Sequence, residues 1–430
     1  RFGKSTDANM LVAYYSKGCD SQYIFDSLKI SQTDHYLKHL NKHHVIHINI
    51  QSFLSNTHNI DKMIQLLTAR ILNEFKQEYS ITFFDETNLS LSLEDIYAST
   101  KNQFIFIIDE WDCIFREYKQ DKEAQKQYLD FLRNLLKDKP YVELAYMTGI
   151  LPIKKYGTHS ALNMFEEISM IDPGLLPEFM GFTEAEVQDL CIQYNVSYDE
   201  MKQWYDGYHL TDEISTFSPR SVVMSLTRKE FGNYWTSTET YEALKFYIDI
   251  NKDGLKDDVI KMLAGENVPV QTSSFQNDMS TFEVKDDVLT LLIHLGYLGY
   301  LKKEKQAYIP NKEVIDSFAN SIKSSNWHES TKALLNSREL LEATWRQDEE
   351  AVARYIEEAH LNTSILTYNN ENALAYTLSL AYITARDDYT IIREMPTGKG
   401  FADIVLIPYR DKPAMIIELK WNQEVKTAID

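Results

Sequence analysis

The chain has 430 residues, of which 44% are hydrophobic and 25% are charged, as expected for a globular protein with more than one domain. Its net charge of -20 excludes broad nonspecific nucleic-acid binding over the whole surface, although a local basic groove remains compatible with it. Three widely spaced cysteines without a CxxC pair argue against a disulfide framework or a structural zinc site and indicate a cytoplasmic protein, and no apolar run approaches the ~18 residues that span a bilayer.

The first 150 residues alternate helical and strand patterns. In chain order these are a helix over 5–15, a strand over 44–50, helices over 60–79 and 92–99, a strand over 104–112, a helix over 122–136 and a further buried strand over 142–150. The run FIFIIDEWD at 104–112 is continuously apolar until its acids, which is typical of a central strand in a parallel sheet. The alternation predicts an open α/β sheet.

The second half of the chain is mainly helical until its end. Thr183 and Glu186 form a Thr-x-x-Glu capping box that predicts a helix start. A helix beginning at Asp286 is followed by two short strand patterns up to Pro310, a winged-helix-like arrangement, and residues 311–365 are helical and charged. The last segment predicts a helix over 371–385 and strands over 389–394, 402–407 and 414–421.

The chain begins on RFGKST, which has the composition of the end of a phosphate-binding loop. Such a loop needs glycine for close backbone approach, lysine for the terminal phosphates and a hydroxyl for magnesium. Gly3, Lys4 and Ser5, followed by Thr6, supply these groups ahead of a predicted helix. The tripeptide alone is equally compatible with a chance helix start. Because the first half of the loop is missing, we expect this chain to bind phosphate weakly.

Acids at two strand ends favour the nucleotide interpretation. Asp109 and Glu110 end the apolar strand, where a magnesium-ordering aspartate and a water-activating glutamate belong. Thr148 ends the next strand, and the carboxyl ends of parallel strands lie on one edge of a sheet, so its hydroxyl is expected to sense the terminal phosphate. A solvent-exposed acidic strand end is the competing interpretation.

A second set of charged residues lies near the end of the chain. Asp403 is on one predicted strand, and Glu418 and Lys420 share a face of the next. Two carboxylates can hold Mg²⁺ on a phosphodiester while a lysine orients or deprotonates water, and Glu371 on the preceding helix could complete the cluster. The alternative is a cross-strand salt bridge between Lys420 and Asp403.

The ordered motifs RFGKS, FIFIIDEWDCIFRE, MTGILPIKK, LNMFEEISM, FMGFTEAEV and WYDGYHL resemble the AAA-ATPase-like family over nearly the whole chain. Members of that family are often fused to a nuclease-like domain of the PD-(D/E)XK group. The resemblance implies that Lys4 and Ser5 are phosphate-loop residues, that Asp109 and Glu110 are the magnesium and catalytic acids, and that ATP and Mg²⁺ are the cofactors. It also implies that Asp403, Glu418 and Lys420 are metal-binding and catalytic residues.

We therefore expect an α/β protein with a P-loop NTPase parallel sheet, a helical and winged-helix-like lid, and a truncated restriction-endonuclease-like domain at its C-terminus. The predicted boundaries are 1–180 for the P-loop domain, 181–320 for the lid, 321–365 for a helical linker and 366–430 for the incomplete nuclease-like domain.

The expected function is ATP hydrolysis coupled to a Mg²⁺-dependent nuclease that acts on nucleic acid, with DNA as the candidate partner and no membrane association. One alternative is a nucleotide-dependent interaction protein that retains the nuclease-like fold as a docking module without catalysis. Another is a nuclease with a defunct ATPase.

Overall fold

A computed structural model describes residues 2–152, 162–235, 244, 246–248, 252–263, 265–275, 282–323, 328–362, 371–396, 400–409 and 411–420. The α-helices are α1 (Lys4–Tyr15), α2 (Gln22–Phe25), α3 (Tyr36–His39), α4 (Ile50–Thr57), α5 (Ile60–Glu78), α6 (Leu89–Thr100), α7 (Cys113–Glu117), α8 (Lys122–Leu136), α9 (Glu184–Tyr194), α10 (Tyr198–Tyr205), α11 (Pro219–Arg228), α12 (Leu255–Leu263), α13 (Lys285–Leu295), α14 (Lys312–Lys323), α15 (His328–Trp345), α16 (Glu349–Asn362) and α17 (Glu371–Ala381).

The strands are β1 (His44–Asn49), β2 (Phe104–Asp109), β3 (Val142–Met147), β4 (Phe182–Thr183), β5 (Tyr208–His209), β6 (Ser215–Phe217), β7 (Val268–Pro269), β8 (Gly299–Leu301), β9 (Gln306–Tyr308), β10 (Tyr389–Pro396), β11 (Phe401–Pro408) and β12 (Met415–Ile417). The chain forms two compact units. Unit 1 comprises residues 1–202, 206–230 and 271–302, and unit 2 comprises residues 203–205, 231–270 and 303–430.

Unit 1 is built on a parallel sheet in the order β1-β2-β3. Every residue of β2 is buried, which confirms the central strand predicted from its apolar run. The registers Asn49↔Asp109 and Ile108↔Met147 align the carboxyl ends of all three strands at one edge. Helix α1 covers one face of this sheet, with Ala8 packed against Ile105 and Ile107.

The prediction that β3 is a buried strand is wrong. Glu143 and Leu144 are exposed, and the remaining residues of β3 are only partly buried. Among the described strands β3 hydrogen-bonds with β2 alone, so one of its edges lies outside the ladder. The run VELAYM is apolar apart from Glu143 and therefore predicted burial. Burial of a strand also depends on its neighbours, which its own sequence does not specify.

The remainder of unit 1 follows the helical pattern of the sequence. The predicted capping box is present at the start of α9, where Thr183 and Glu186 bond each other's backbone N–H groups. Strands β4, β6 and β5 form a small antiparallel sheet in that order. Tyr208 of this sheet is fully buried, and its hydroxyl donates to the carbonyl of Gly296 at 2.8 Å, so this part of WYDGYHL packs within unit 1.

Unit 2 contains an antiparallel sheet in the order β10-β11-β12, as the terminal strand patterns predict. Helices α15, α16 and α17 pack on one face of it around Leu341, Leu378 and Leu406. Ile404 and Leu406 of β11 belong to this core, and the buried Ala402 shares their face of the strand, whereas Val405 is buried on the opposite face. Asp403 lies between Ala402 and Ile404 on that opposite face.

Candidate nucleotide site

The first part of the candidate site is the amino-terminal end of α1. Gly3 is the residue before the helix and has a φ of 90°, a left-handed conformation that glycine adopts without steric cost. Lys4 is the first helical residue, and Ser5 and Thr6 are exposed in the first turn. Free backbone N–H groups and the helix dipole make such an end attractive to phosphate. The predicted phosphate-loop residues therefore lie together at this end.

The second part is the end of β2. Asp109 is 5% exposed, and its Oδ1 accepts hydrogen bonds from the Thr148 hydroxyl and, at 3.0 Å, from the Glu110 backbone N–H. Asn49 at the end of β1 lies 3.5 Å from the other carboxylate oxygen. Three donors therefore fix this carboxylate at the edge of the sheet. The structure brings the predicted Asp109 and Thr148 into direct contact.

Glu110 follows Asp109 with a φ of 56°, which is uncommon for a residue with a side chain. Its carboxylate forms an ion pair with the guanidinium of Arg116, and both side chains are about one-quarter exposed. Strained backbone of this kind is concentrated at functional sites, since the surrounding structure has to stabilise it. With this backbone conformation the chain turns at Glu110, immediately after β2 ends at Asp109.

The third part is the segment after β3. Thr148 is 4% exposed and continues the ladder with β2 through backbone bonds to Ile108 and Trp111. A Cβ on the following Gly149 would lie 2.5 Å from the Trp111 ring and 2.7 Å from Oδ1 of Asp112. Only glycine fits this close approach, so the turns after β2 and β3 are packed tightly together.

A cavity of about 270 Å³ inside unit 1 lies between the first and third parts of the candidate site. Lys4 and Thr148 both line it, together with Trp111, Gly149 and apolar side chains that include Met147 and Phe165. A lysine and a hydroxyl beside an apolar wall are the groups that a nucleotide requires, with phosphate at one end and a base at the other. Asp109 does not line the cavity and is connected to it through its hydrogen bond with Thr148.

Residues 1–158 match the family described as Predicted AAA-ATPase. The match includes α1 and the strand ends with Asp109, Glu110 and Thr148. A Walker-type ATPase of Pyrococcus abyssi superposes on 64% of this chain and 84% of its own, with a TM-score of 0.34 and 13% identity. The chain has no match among curated protein sequences. No helix in the described ranges has the length and apolarity to cross a membrane.

The Asp7 carboxyl and the Tyr146 hydroxyl of this AAA-ATPase-like region both have raised pKa values. Burial raises the pKa of Asp7 to about 6 against the opposing charge of Lys4. Burial, and after it the charges of Asp7 and Asp109, raise the pKa of Tyr146 to about 12. Asp7 on α1 thus lies in the same electrostatic environment as the end of β2. Asp7 was not predicted as a site residue, although its position one turn after Lys4 places it on the same helix.

The oxygen donors of the AAA-ATPase-like region fit Mg²⁺. Magnesium keeps several waters and binds through one or two protein oxygens together with substrate phosphates. The Ser5 hydroxyl and the Asp109 carboxylate are such donors, and the strand end fixes Asp109. Among the described residues no group of three or more His, Cys, Asp or Glu side chains could hold a metal by itself. A site of this kind therefore needs the phosphates of its nucleotide.

The terminal charged residues lie on β11 and just after β12. The register Ile404↔Ile417, continued by one residue, places Asp403 opposite Glu418. The Asp403 carboxylate accepts a hydrogen bond from the Leu419 backbone N–H at 2.6 Å. Leu419 is buried, whereas Glu418 is exposed and Lys420 half-buried, so the predicted alternation is present. Within the described residues no ion pair joins Lys420 to Asp403. The side chain of Glu371 lies outside the described residues.

Asn49, Asp112 and Arg116 also lie at the end of the parallel sheet and were not predicted from the sequence. Asn49 is the last residue of β1, so the rule that placed Thr148 at the edge of the sheet could have found it. Asp112 lies on the turn before α7 and Arg116 lies within that five-residue helix, where no period or motif indicates which way a side chain points. Their contacts depend on the fold of that turn.

Proposed function

We propose that this protein binds ATP and hydrolyses it in a Mg²⁺-dependent reaction at the end of the parallel sheet. The observation that carries the proposal is the contact between the Asp109 carboxylate and the Thr148 hydroxyl, because Thr148 also lines the cavity that Lys4 lines, and Glu110 follows Asp109 directly. The match of residues 1–158 to the AAA-ATPase-like family supports the same activity.

Each residue has a role that its environment allows. Lys4 and the amino-terminal end of α1 bind the terminal phosphates and offset charge that develops during transfer. Asp109 and Ser5 supply oxygen ligands for Mg²⁺, which neutralises phosphate charge when bound. Glu110 orients the attacking water and accepts its proton, while the bond from the γ-phosphorus to the leaving oxygen breaks and ADP departs. Thr148 contacts the γ-phosphate and keeps Asp109 in place.

Phosphate release from ATP by the full chain tests this proposal. We expect Glu110→Gln to lower kcat by roughly 100-fold or more with ATP binding retained, since the amide cannot accept the proton of water. Lys4→Ala is expected to weaken ATP binding itself.

Glu123→Gln and Lys17→Ala are the matched controls, because both side chains are exposed outside the site. They should leave rate and affinity at the wild-type values. If Glu110→Gln hydrolyses ATP as fast as Glu123→Gln, Glu110 is not the catalytic residue.

A second proposed activity is Mg²⁺-dependent cleavage of DNA by the face of β11 and β12. It is favoured by the register Ile404↔Ile417, because continuing it by one residue beyond β12 brings Glu418 opposite Asp403, and two carboxylates opposite each other repel unless a cation lies between them. Lys420, two residues further on the same face, would orient or deprotonate the attacking water. A docking module without catalysis is the competing proposal for this face.

Nicking of supercoiled plasmid DNA with Mg²⁺ distinguishes the two. Cleavage by the wild type that Asp403→Asn and Lys420→Ala abolish, and that Lys412→Ala keeps, supports the nuclease. A folded wild-type chain that cleaves neither plasmid nor single-stranded DNA supports the docking module. A charge map with basic groups around Asp403 would favour the nuclease in the same comparison.

A further inference from the structure

Asp112 is a buried carboxylate that the proposed reaction does not yet use. It is fully buried, two residues after Glu110. Its Oδ2 accepts hydrogen bonds from the backbone N–H groups of Ile150 at 3.1 Å and Leu151 at 2.9 Å. These residues follow Thr148 and Gly149 directly, so Asp112 fastens the segment after β3 to the turn after β2.

The same carboxylate oxygen faces Arg116. The Arg116 Nε lies 3.5 Å from Oδ2 of Asp112, an ion-pair contact that falls short of a hydrogen bond, and the guanidinium Nη2 binds Glu110. Arg116 therefore lies between the two carboxylates. The pair of Asp112 and Arg116 connects Glu110 on one side with the Thr148 segment on the other.

We propose that Asp112 is a positioning residue for ATP hydrolysis, which acts through Arg116 on Glu110 and through two backbone bonds on Thr148. The inference rests on the proposed function. Glu110 must lie where it can accept a proton from water, and Thr148 must lie at the γ-phosphate. Asp112 fixes the distance between these two groups, because it is bonded to the structure that carries each of them.

The negative charge of Asp112 is the property that this role requires. A carboxylate can accept two N–H bonds and attract a guanidinium at the same time. A neutral amide of the same size keeps one acceptor oxygen, but it has no charge to attract the guanidinium. Among the described residues its buried Oδ1 has no hydrogen-bond partner, and it lies against Gly149, so burial of this oxygen carries a desolvation cost.

The test compares kcat and ATP affinity in Asp112→Asn, Arg116→Gln and the double variant of the full chain. We expect each single variant to lower kcat roughly tenfold, since small misplacements of catalytic groups are costly, while the Kd for ATP stays within about twofold. The double variant should be no slower than either single one, because both remove the same connection. Arg116→Lys, which keeps the charge, should recover part of the rate.

Asp287→Asn is the matched control. Asp287 is also a buried carboxylate of unit 1 that accepts two backbone N–H bonds, from Glu283 at 2.8 Å and Val284 at 3.2 Å, at the start of α13. We expect it to lower the melting temperature as Asp112→Asn does and to leave kcat unchanged. Arg116 is partly exposed, so Arg116→Gln tests the inference even if Asp112→Asn does not fold.

Two outcomes measured in the variants that carry Arg116→Gln would overturn the inference. One is an unchanged kcat in folded Arg116→Gln, and the other is a double variant whose loss of rate is the product of the two single losses. Failure of the proposed ATPase activity differs from failure of this inference, because in that case Glu110→Gln would hydrolyse ATP at the wild-type rate. Loss of ATP binding in Asp112→Asn with an unchanged kcat would contradict a positioning role.

Discussion

His294 carries a titratable ring inside unit 1. It lines the cavity of the candidate nucleotide site, and its imidazole stacks on Phe275 with ring centroids 5.9 Å apart. Burial lowers the pKa of His294 from 6.5 to about 4, because the protonated ring loses its hydration. The folded protein therefore keeps this ring neutral in a pH range where the unfolded chain protonates it.

This difference makes the free energy of unfolding depend on pH. Above pH 6.5 the ring is neutral in both states and has no effect. As the pH falls from 6.5 towards 4, the unfolded state takes up a proton that the folded state refuses, so stability is lost. Relative to His294→Gln, the wild type should lose roughly 2 kcal/mol between pH 7 and pH 5.

Denaturant unfolding of both proteins at several pH values measures this loss. The comparison with a variant is needed because the raised pKa of Asp7 has the opposite sign, as the stability it contributes is present at low pH and is lost as the pH rises through 6. Asp7 is common to both proteins and cancels in the difference. A difference that stays constant between pH 7 and pH 5 would show that His294 titrates normally in the fold.

Single residues were predictable from sequence where a strand end specified their place. Asp109 and Thr148 follow apolar strands, and the parallel order alone places their side chains at one edge of the sheet. Asp112 could not be predicted in this way. Its partners, Ile150 and Leu151, are 38 and 39 residues away and contribute backbone N–H groups, which carry no sequence signal.

At the scale of elements, helices with a clear apolar period and a cap were predicted well. The predicted bounds of α8 agree with the observed Lys122–Leu136, since Asp121 caps its first turn and six apolar or buried positions recur on one face. The burial of β3 was predicted wrongly from a run that is apolar apart from Glu143, and Glu143 is exposed. A helix buries its face against whatever lies beneath it, whereas burial of a strand on both faces needs partners that are specified elsewhere.

The position of α1 depends on a small residue at its contact with the sheet. Ala8 is fully buried against Ile105 and Ile107 of β2, four residues after Lys4. Ala8→Leu adds volume to this close-packed contact, so we expect it to cost about 1–3 kcal/mol of stability and to displace the amino-terminal end of α1. The affinity for Mg²⁺·ATP should fall with that displacement.

Asn9→Leu is the matched control for this prediction. Asn9 is the next residue of α1 and is exposed, so the same side chain is added to the outer face of the helix. Calorimetric titration with Mg²⁺·ATP and thermal unfolding of both variants measure the two effects. Equal ATP affinity in Ala8→Leu and the wild type would show that the site does not depend on how α1 packs.

At the scale of the whole molecule, the chain passes between its two units at five points, after residues 202, 205, 230, 270 and 302. The sequence contains no glycine-serine linker at any of them, so composition could not indicate where one unit ends. The predicted domains, with a lid over 181–320, follow the order of helix and strand patterns along the chain. The units describe which residues pack together, and a segment such as 203–205 belongs with residues far along the chain.

Coupling between the proposed ATPase and the proposed nuclease predicts a response in both units. Hydrogen exchange with a slowly hydrolysed Mg²⁺·ATP analogue should slow in α1 and in residues 148–151, because bound phosphate stabilises these segments by mass action. If ATP gates the nuclease-like sheet, exchange in β11 and β12 must also change when the analogue binds. Lys4→Ala should abolish both responses, whereas Lys17→Ala should keep them. A response confined to unit 1 would mean that nucleotide binding does not affect Asp403 and Glu418. A ligand shifts a conformational equilibrium only when it binds the two conformations with different affinities.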